Sequence, residues 1–237
     1  MLFMEPSNYI DFIKIIGKKK AFIWDFDGCL ADTEPLHHRA YKAAFAAYDY
    51  SLEMDLGAYN HCFTHRGGGV EQVIKTANLS CSPESIYEIK TFIYRNLIKH
   101  VGGFFYKENI EIIKYMKKMN VKIAIASNSA YEDIFSIVEL EGVYECFDEI
   151  VGKKDGLRKK PFPDIFFNTL NKLSVKPEEA LVFEDSERGL EAAAAAGIDA
   201  VWVQTNANIL EKINAFYLSR LNHAQILSVF KEIINND

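Results

Sequence analysis

This chain predicts an α/β fold, a parallel sheet covered by helices and interrupted by a helical insertion. Three observations carry that expectation. Short, continuous apolar runs alternate with helix-period segments through the second half of the 237 residues, the pattern of a parallel sheet covered on both faces. About 94 residues separate the first apolar run from the second, far more than one crossover needs. Polar side chains also gather where four of the runs end, the edge at which open parallel sheets take ligands.

The opening stretch, Met1 to Lys20, places Tyr9, Ile10, Phe12, Ile13 and Ile16 before Lys18-Lys19-Lys20. A signal peptide puts its charge first, so a short amphipathic helix ahead of the fold is expected. The first strand is Ala21–Phe26 (AFIWDF). Helical periods then fall at Leu36–Tyr48, Val70–Ala77 and Pro83–Lys99, with Glu108–Met119 as the crossover to the second strand. The economical division is a helical insertion over 35–102, with Gly102-Gly103 as its return hinge, set into a core made of 1–34 and 103–237. Residues 1–18 are an N-terminal extension. Further strands are expected at Val121–Ser127, Glu149–Gly152, Ala180–Phe183 and Asp199–Val203. Helices lie between them at Tyr131–Glu141, Pro163–Leu173 and Glu187–Ala196, the last stopped by Gly197. Ile209–Ile234 reads as one or two closing helices.

Composition narrows the function classes. Lys+Arg 27 against Asp+Glu 33 leaves a net charge of −6, the opposite of the basic balance of a nucleic-acid surface. No apolar run approaches the ~18 residues of a membrane span, so no membrane partner is expected. The four cysteines (Cys29, Cys62, Cys81, Cys146) show no CxxC spacing, which fits reduced thiols in a cytoplasm. A monomer is the expected state.

The chemistry collects at the strand ends. The first ends in Asp25-Phe26-Asp27-Gly28, and the second in Ser127-Asn128. The loop after the third carries Lys160-Pro161, and the fourth ends in Glu184-Asp185-Ser186. Asp25 and Asp27 are two apart, so in extended chain both carboxylates point to one side. Gly28 permits a sharp turn with its amide facing a ligand. These carboxylates, with Glu184 and Asp185, repel one another unless a cation neutralises them, and an oxygen-rich cluster suits Mg²⁺. With Lys160 and the Ser127 hydroxyl, the set makes a site for a dianionic phosphoryl group.

The run Asp25-Phe26-Asp27-Gly28-Cys29-Leu30-Ala31-Asp32-Thr33-Glu34 resembles the first motif of the haloacid-dehalogenase-like superfamily. Ser127-Asn128 resembles the second motif, Lys160-Pro161-x-Pro163-Asp164-x-Phe166 the third and Glu184-Asp185-Ser186-x-x-Gly189 the fourth. Within that superfamily the chain is similar to the branch of β-phosphoglucomutase and phosphoglycolate phosphatase. The resemblance covers about residues 20–205. It implies a Rossmann-like parallel sheet core with an inserted α-helical cap domain. It also implies Asp25 as nucleophile and Asp27 as acid and then base. Asp25, the backbone carbonyl of Asp27 and Asp185 would hold Mg²⁺, with Glu184 as a ligand or just behind. Gly28, Ser127, Asn128 and Lys160 would hold the phosphoryl oxygens.

In the insertion, His37 is a candidate for a substrate-facing or hinge role, and Arg66 beside Gly67-Gly68-Gly69 for a loop that reaches the substrate. Cys29 lies near the site, but nothing marks it as a nucleophile. The basic run Lys153, Lys154, Arg158 and Lys159 reads as a solvated face. The expected function is a Mg²⁺-dependent phosphatase of a small phosphorylated metabolite, a sugar or polyol phosphate. The alternative is a sugar-phosphate mutase, and the three glycines, as a flexible loop, favour the phosphatase. A phospho-accepting signalling module also pairs a sheet-end Asp with Mg²⁺, but such modules are shorter and lack a helical insertion.

Overall fold

The computed structural model describes residues 13–65, 68–153, 156–205 and 219–236. Its centre is a six-stranded sheet of β1 (Ala21–Trp24), β2 (Lys122–Ala130), β3 (Glu149–Lys153), β4 (Ala180–Glu184), β5 (Asp199–Gln204) and β6 (Ser219–Asn222). Every neighbouring pair is parallel, in the order β3-β2-β1-β4-β5-β6. The order reverses at β1, between β2 and β4, and a crevice opens outside the strand ends at such a switch point.

Alternation along the strands gives the sheet one bulky face and one rich in alanine. Phe22, Trp24, Ile123, Ile125, Leu181, Phe183, Val201 and Val203 face one side, and Ala21, Ile23, Ala124, Ala126, Ala180, Val182, Ala200 and Trp202 face the other. The bulky face is filled by rings. Trp24 stacks on Phe183 at 4.2 Å, and Phe22 meets Phe230 edge-on at 5.3 Å. The alanines of the second face let a helix come close, and Ala192, Ala193 and Ala196 from the alanine run are buried there.

The crossover helices are α5 (Lys107–Lys118), α6 (Tyr131–Leu140), α7 (Asp164–Leu173) and α8 (Glu187–Ala195), with α9 (His223–Asn236) closing the chain. These numbers follow α1 to α4 of the insertion: α1 (Glu34–Ala46), α2 (Leu56–Tyr59), α3 (Gly69–Thr76) and α4 (Pro83–Ile98). A π-helical stretch, Asn60–His65, joins α2 to α3. The insertion has its own apolar centre of Ala44, Phe45, Leu52, Val70, Val73 and Ile86. Its two connections to the sheet run side by side, with Asp32 N donating to Phe104 O at 2.7 Å and Ala31 bridging Phe105.

Several expectations change. β1 stops at Trp24, while β2 runs on to Ala130 through an irregularity after Ala126. Residues 219–222, read as helix, are instead an edge strand on β5. Ser-Arg-Leu-Asn lacks an apolar run, because an edge strand need bury only one side chain, here Leu221. The α2 and π-helical turns were not anticipated. Asp55 caps α2 by accepting from Ala58 N at 2.7 Å. Gly197 ends its helix as expected, at φ +72°. Residues 13–17 are helical and Ile16 is buried, but the rest of the expected N-terminal helix lies outside the described residues.

Candidate active site

The floor of the site is built by backbone that ends strands. Asp25 follows β1, still tied to β4 through its N–H to Phe183 O at 2.9 Å. Lys160 arrives from the loop after β3. Its buried ammonium donates to Asp25 Oδ1 at 2.6 Å, Glu184 Oε1 at 2.7 Å and Ala126 O at 2.8 Å. Arg188 Nη2 and Asn128 Oδ1 hold the backbone of Lys160 by its carbonyl and N–H, at 2.6 and 3.0 Å. Glu184 accepts from Ser186 N and Oγ through its other oxygen, and Ser186 caps α8 by accepting from Gly189 N.

Two glycines clear room for the carboxylates. A Cβ on Gly189 would lie 1.6 Å from Glu184 Oε1, and one on Gly28 would lie 2.6 Å from Asp185 Oδ2. Gly28 also needs its freedom of backbone, at φ +81°.

One ammonium does not balance this cluster. Burial, then the charge of Glu184, pushes the Asp25 carboxyl up to about 8 even with Lys160 beside it. Burial, Glu184 and Asp25 push Asp185 well above the usual carboxylate range. Burial works against the Lys160 charge, but the attraction of Asp25 and Glu184 outweighs it and raises that pKa. Asp25, Glu184 and Asp185 each bring a carboxylate oxygen within 4.8 Å of the others, all buried. Hard oxygen donors in excess of nearby positive charge fit a small divalent cation. Cys29 is buried just below, and burial with the charge of Asp185 raises its thiol pKa, which leaves it inert.

Asp27 has a different environment. Its Oδ1 accepts from Thr33 Oγ1 at 2.6 Å and lies 3.1 Å from His37 Nε2. Its Oδ2 accepts from Ser129 Oγ and, at 3.4 Å, from Ser127 Oγ. Burial would raise this carboxyl, but hydrogen bonds from His37, Ser129 and Thr33 win and hold it well below the usual range. Burial and the neighbouring Lys90 lower His37, so its ring is neutral. Lys90 Nζ sits 2.6 Å from His37 Nδ1. An ammonium can only donate, so Nδ1 accepts and Nε2 carries the proton given to Asp27. What His37 gives Asp27 is therefore a hydrogen bond rather than a full positive charge.

The insertion supplies the opposite wall. A cleft of about 490 Å³ is lined on that side by Glu34, His37, Tyr41, Tyr59, Phe63, Glu71, Tyr87 and Lys90. Lys90 lies over the Tyr41 and Tyr94 rings, and burial lowers its pKa to about 8. His37 stacks on Tyr94 at 4.1 Å. A larger cleft, about 760 Å³, opens at the other end of the strands. There Lys19 and Lys20 already face Asp199 and Glu179 at 2.7 and 2.6 Å, so size does not mark the chemistry.

The structure thus brings together Asp25, Asp27, Gly28, Ser127, Asn128, Lys160, Glu184, Asp185 and His37. Arg66 and Gly67 lie outside the described residues. The reading of the glycines as a flexible loop needs correction. Gly68 is the N-cap of α3 at φ +75°, a backbone that favours glycine, and a Cβ on Gly69 would lie 2.6 Å from the Phe63 ring, so conformation asks for the first and packing for the second. In the basic run, Arg158 pairs with Asp164 at 2.9 Å while Lys159 lines the cleft. Sequence reasoning missed Thr33, Ser129, Lys90, Glu34, Glu71 and Arg188. Ser129 carried a signal, since it stands two residues after Ser127 on one strand. Lys90 shares a helix face with Tyr87 and Tyr94 by its spacing, but nothing local tied that face to the site.

A family model described as haloacid dehalogenase-like hydrolase matches residues 22–203. The chain is 28% identical over 221 residues to a phosphorylated carbohydrates phosphatase of Thermotoga maritima, covering 91% of this chain and 100% of the relative. It is 27% identical to the fructose-1-phosphate phosphatase YqaB of Escherichia coli, covering 77% of this chain and 95% of that one. A crystal structure of a CbbY mutant from Rhodobacter sphaeroides, in complex with xylulose-(1,5)bisphosphate, superposes with a TM-score of 0.74 at 27% identity. That match covers 86% of this chain and 93% of that chain.

Proposed function

The chain belongs to the haloacid dehalogenase-like hydrolases, and on that premise we propose that it is a Mg²⁺-dependent phosphatase of sugar or polyol phosphates. The observation that carries this reading is the convergence of Asp25, Ser127, Lys160 and Asp185 from four strand ends, with Lys160 Nζ 2.6 Å from Asp25 Oδ1. The names of the Thermotoga and Escherichia relatives support the substrate class.

Asp25 attacks phosphorus and the ester P–O bond breaks, giving an aspartyl-phosphate on Asp25. The leaving oxygen takes a proton from Asp27. The Asp27 carboxylate then takes a proton from water as that water attacks the aspartyl-phosphate, releasing inorganic phosphate and restoring Asp25. The donors at Thr33, Ser129 and His37 hold Asp27 in the carboxylate form that the second step needs. For the first step Asp27 takes up a proton and turns from them toward the leaving oxygen. Ser127, the Asn128 amide, the Gly28 amide and Lys160 hold the phosphoryl oxygens. Asp25, Asp185 and the Asp27 carbonyl, backed by Glu184, would hold Mg²⁺, which neutralises charge on those oxygens when bound. Residues 35–102 act as a cap over a core of 1–34 and 103–237, flexing at the paired connections near Asp32 and Phe104.

Purified protein incubated with Mg²⁺ and a panel of phosphorylated metabolites tests this. Inorganic phosphate released from sugar or polyol phosphates, and none from the Asp25→Asn variant, is expected. Phosphate release that survives in Asp25→Asn overturns the assignment. With β-glucose 1-phosphate and a trace of glucose 1,6-bisphosphate, accumulation of glucose 6-phosphate with little free phosphate would mark a mutase instead.

A further inference from the structure

Glu34 is the first residue of α1, where the chain leaves the phosphate-site loop for the insertion. It is 4% exposed and lines the cleft, yet its Oε2 has no hydrogen-bond partner. Among the described residues that line the cleft, no other side chain has such a buried orphan atom. The contrast with Asp27 is plain, since that carboxylate accepts from Thr33, His37, Ser127 and Ser129.

A buried carboxyl oxygen without a donor is costly, and native structures rarely keep one without a reason. The orphan is not explained by the cation cluster, whose three carboxylates are Asp25, Glu184 and Asp185. It does lie beside that cluster: a Cβ on Gly28 would sit 3.7 Å from Glu34 Cγ and 2.6 Å from Asp185 Oδ2. Glu34 therefore stands on the cleft wall next to the carboxylates that the phosphatase reading places around phosphorus.

We propose that Glu34 is a specificity residue whose carboxyl takes a leaving-group hydroxyl next to the phosphorylated carbon, selecting neutral, hydroxylated phosphate monoesters over those bearing a carboxylate there. This rests on the phosphatase reading above and sharpens it. A hydroxyl both donates and accepts, so it satisfies Glu34 with or without its proton. A carboxylate in the same place has no hydrogen to donate to the orphan Oε2, and it brings a second negative charge close to the Asp27 carboxylate that shares the cleft. The aromatic rings of Tyr41 and Tyr59 complete a wall suited to the C–H faces of a sugar or polyol.

Three probe esters test the inference with the full chain and Mg²⁺: glycerol 1-phosphate, 3-hydroxypropyl phosphate, which lacks only the hydroxyl next to the phosphorylated carbon, and phosphoglycolate, which has a carboxylate there. Wild-type kcat/KM is expected to favour glycerol 1-phosphate over either other ester by at least about tenfold. Glu34→Gln should shrink that ratio and Glu34→Ala should erase it, with thermal unfolding confirming that both variants fold. Glu34→Gln keeps the shape and one acceptor, so it remains a fair probe if the alanine variant unfolds. An undiminished ratio in the glutamine variant, or no hydroxyl preference in the wild type, overturns the assignment of Glu34. Wild-type protein that releases phosphate from none of the three esters, nor from any sugar phosphate, overturns the phosphatase reading and this inference with it.

Discussion

The two walls of the cleft are held by different means. On the sheet side, Asp25, Ser127, Glu184 and Asp185 are placed by backbone that belongs to or directly follows a strand, and Gly28 and Gly189 leave the space their carboxylates occupy. On the insertion side, His37, Tyr41 and Lys90 project from the faces of α1 and α4, and their contacts join residues far apart in sequence. The sheet wall is a fixed electrostatic frame, overloaded with negative charge. The insertion wall is a packed arrangement of rings around one amine. On the proposed reading, the floor would handle phosphorus and the insertion wall the leaving group.

The largest expected effects lie on the floor. Asp25→Asn should lower turnover by on the order of 10³-fold or more, as loss of a nucleophile does. The same change removes a carboxyl that folding of the metal-free protein must either protonate or bury charged beside Glu184, so it should raise the unfolding temperature of that form in calorimetry. A variant that loses activity and stability together would mean Asp25 only holds the fold. Next comes Gly189→Ala. Its methyl would collide with Glu184 Oε1, an atom already fixed by Lys160. Overpacking of this kind costs about 1–3 kcal/mol, read as a shift in the denaturant midpoint, and Mg²⁺ affinity should weaken with it. Unchanged stability would show that the floor is less rigid than its geometry.

The roof should respond more mildly. Lys90→Met frees His37 Nδ1 to carry the proton, and the Nε2 donor to Asp27 is lost in that tautomer. A decrease of about tenfold in kcat/KM is expected, the low end for a residue that orients another. The limb of the pH–rate profile governed by Asp27 should move up, because that carboxylate loses a donor. Equal loss at every pH would reduce Lys90 to packing.

Much of the floor was legible in the sequence because each of its residues sits in a short window that also contains its strand. The alternation of Asp25 and Asp27, and the positions of Gly28 and Gly189, required no knowledge of distant chain. The roof was not legible in that way. Its contacts depend on how α1 and α4 face each other, and helical periodicity reports which side is apolar without naming the partner. Lys90 looked like an ordinary polar helix residue, and Glu34 closed the first motif with no role of its own, until burial set them apart. The edge strand at Ser219–Asn222 escaped for a related reason, since a strand paired on one side need not be apolar throughout.

A further test of the floor is stability against pH. Asp25 and Glu34 titrate near 8 in the folded metal-free protein, pushed up mainly by burial, and near the ordinary carboxylate value when unfolded. Folded protein then binds more protons than unfolded protein between those values, so stability falls as pH rises from about 5 to 8. Calorimetry of chelator-treated protein should show that decline, and Asp25→Asn should flatten it. Mg²⁺ must displace those protons, so its apparent affinity should be tighter at the upper end of the range. A metal-free protein that grows more stable over the same range would contradict the charge excess assigned to the floor.

The central claim is that Asp25 carries the phosphoryl group between substrate and water. The stereochemical course at phosphorus tests it directly, using a sugar phosphorothioate made chiral with one oxygen isotope and hydrolysed in water of another, so that the released thiophosphate is itself chiral. Two in-line displacements, one by Asp25 and one by water, predict net retention of configuration. Inversion would mean that water attacks the substrate in a single step, and would contradict the account.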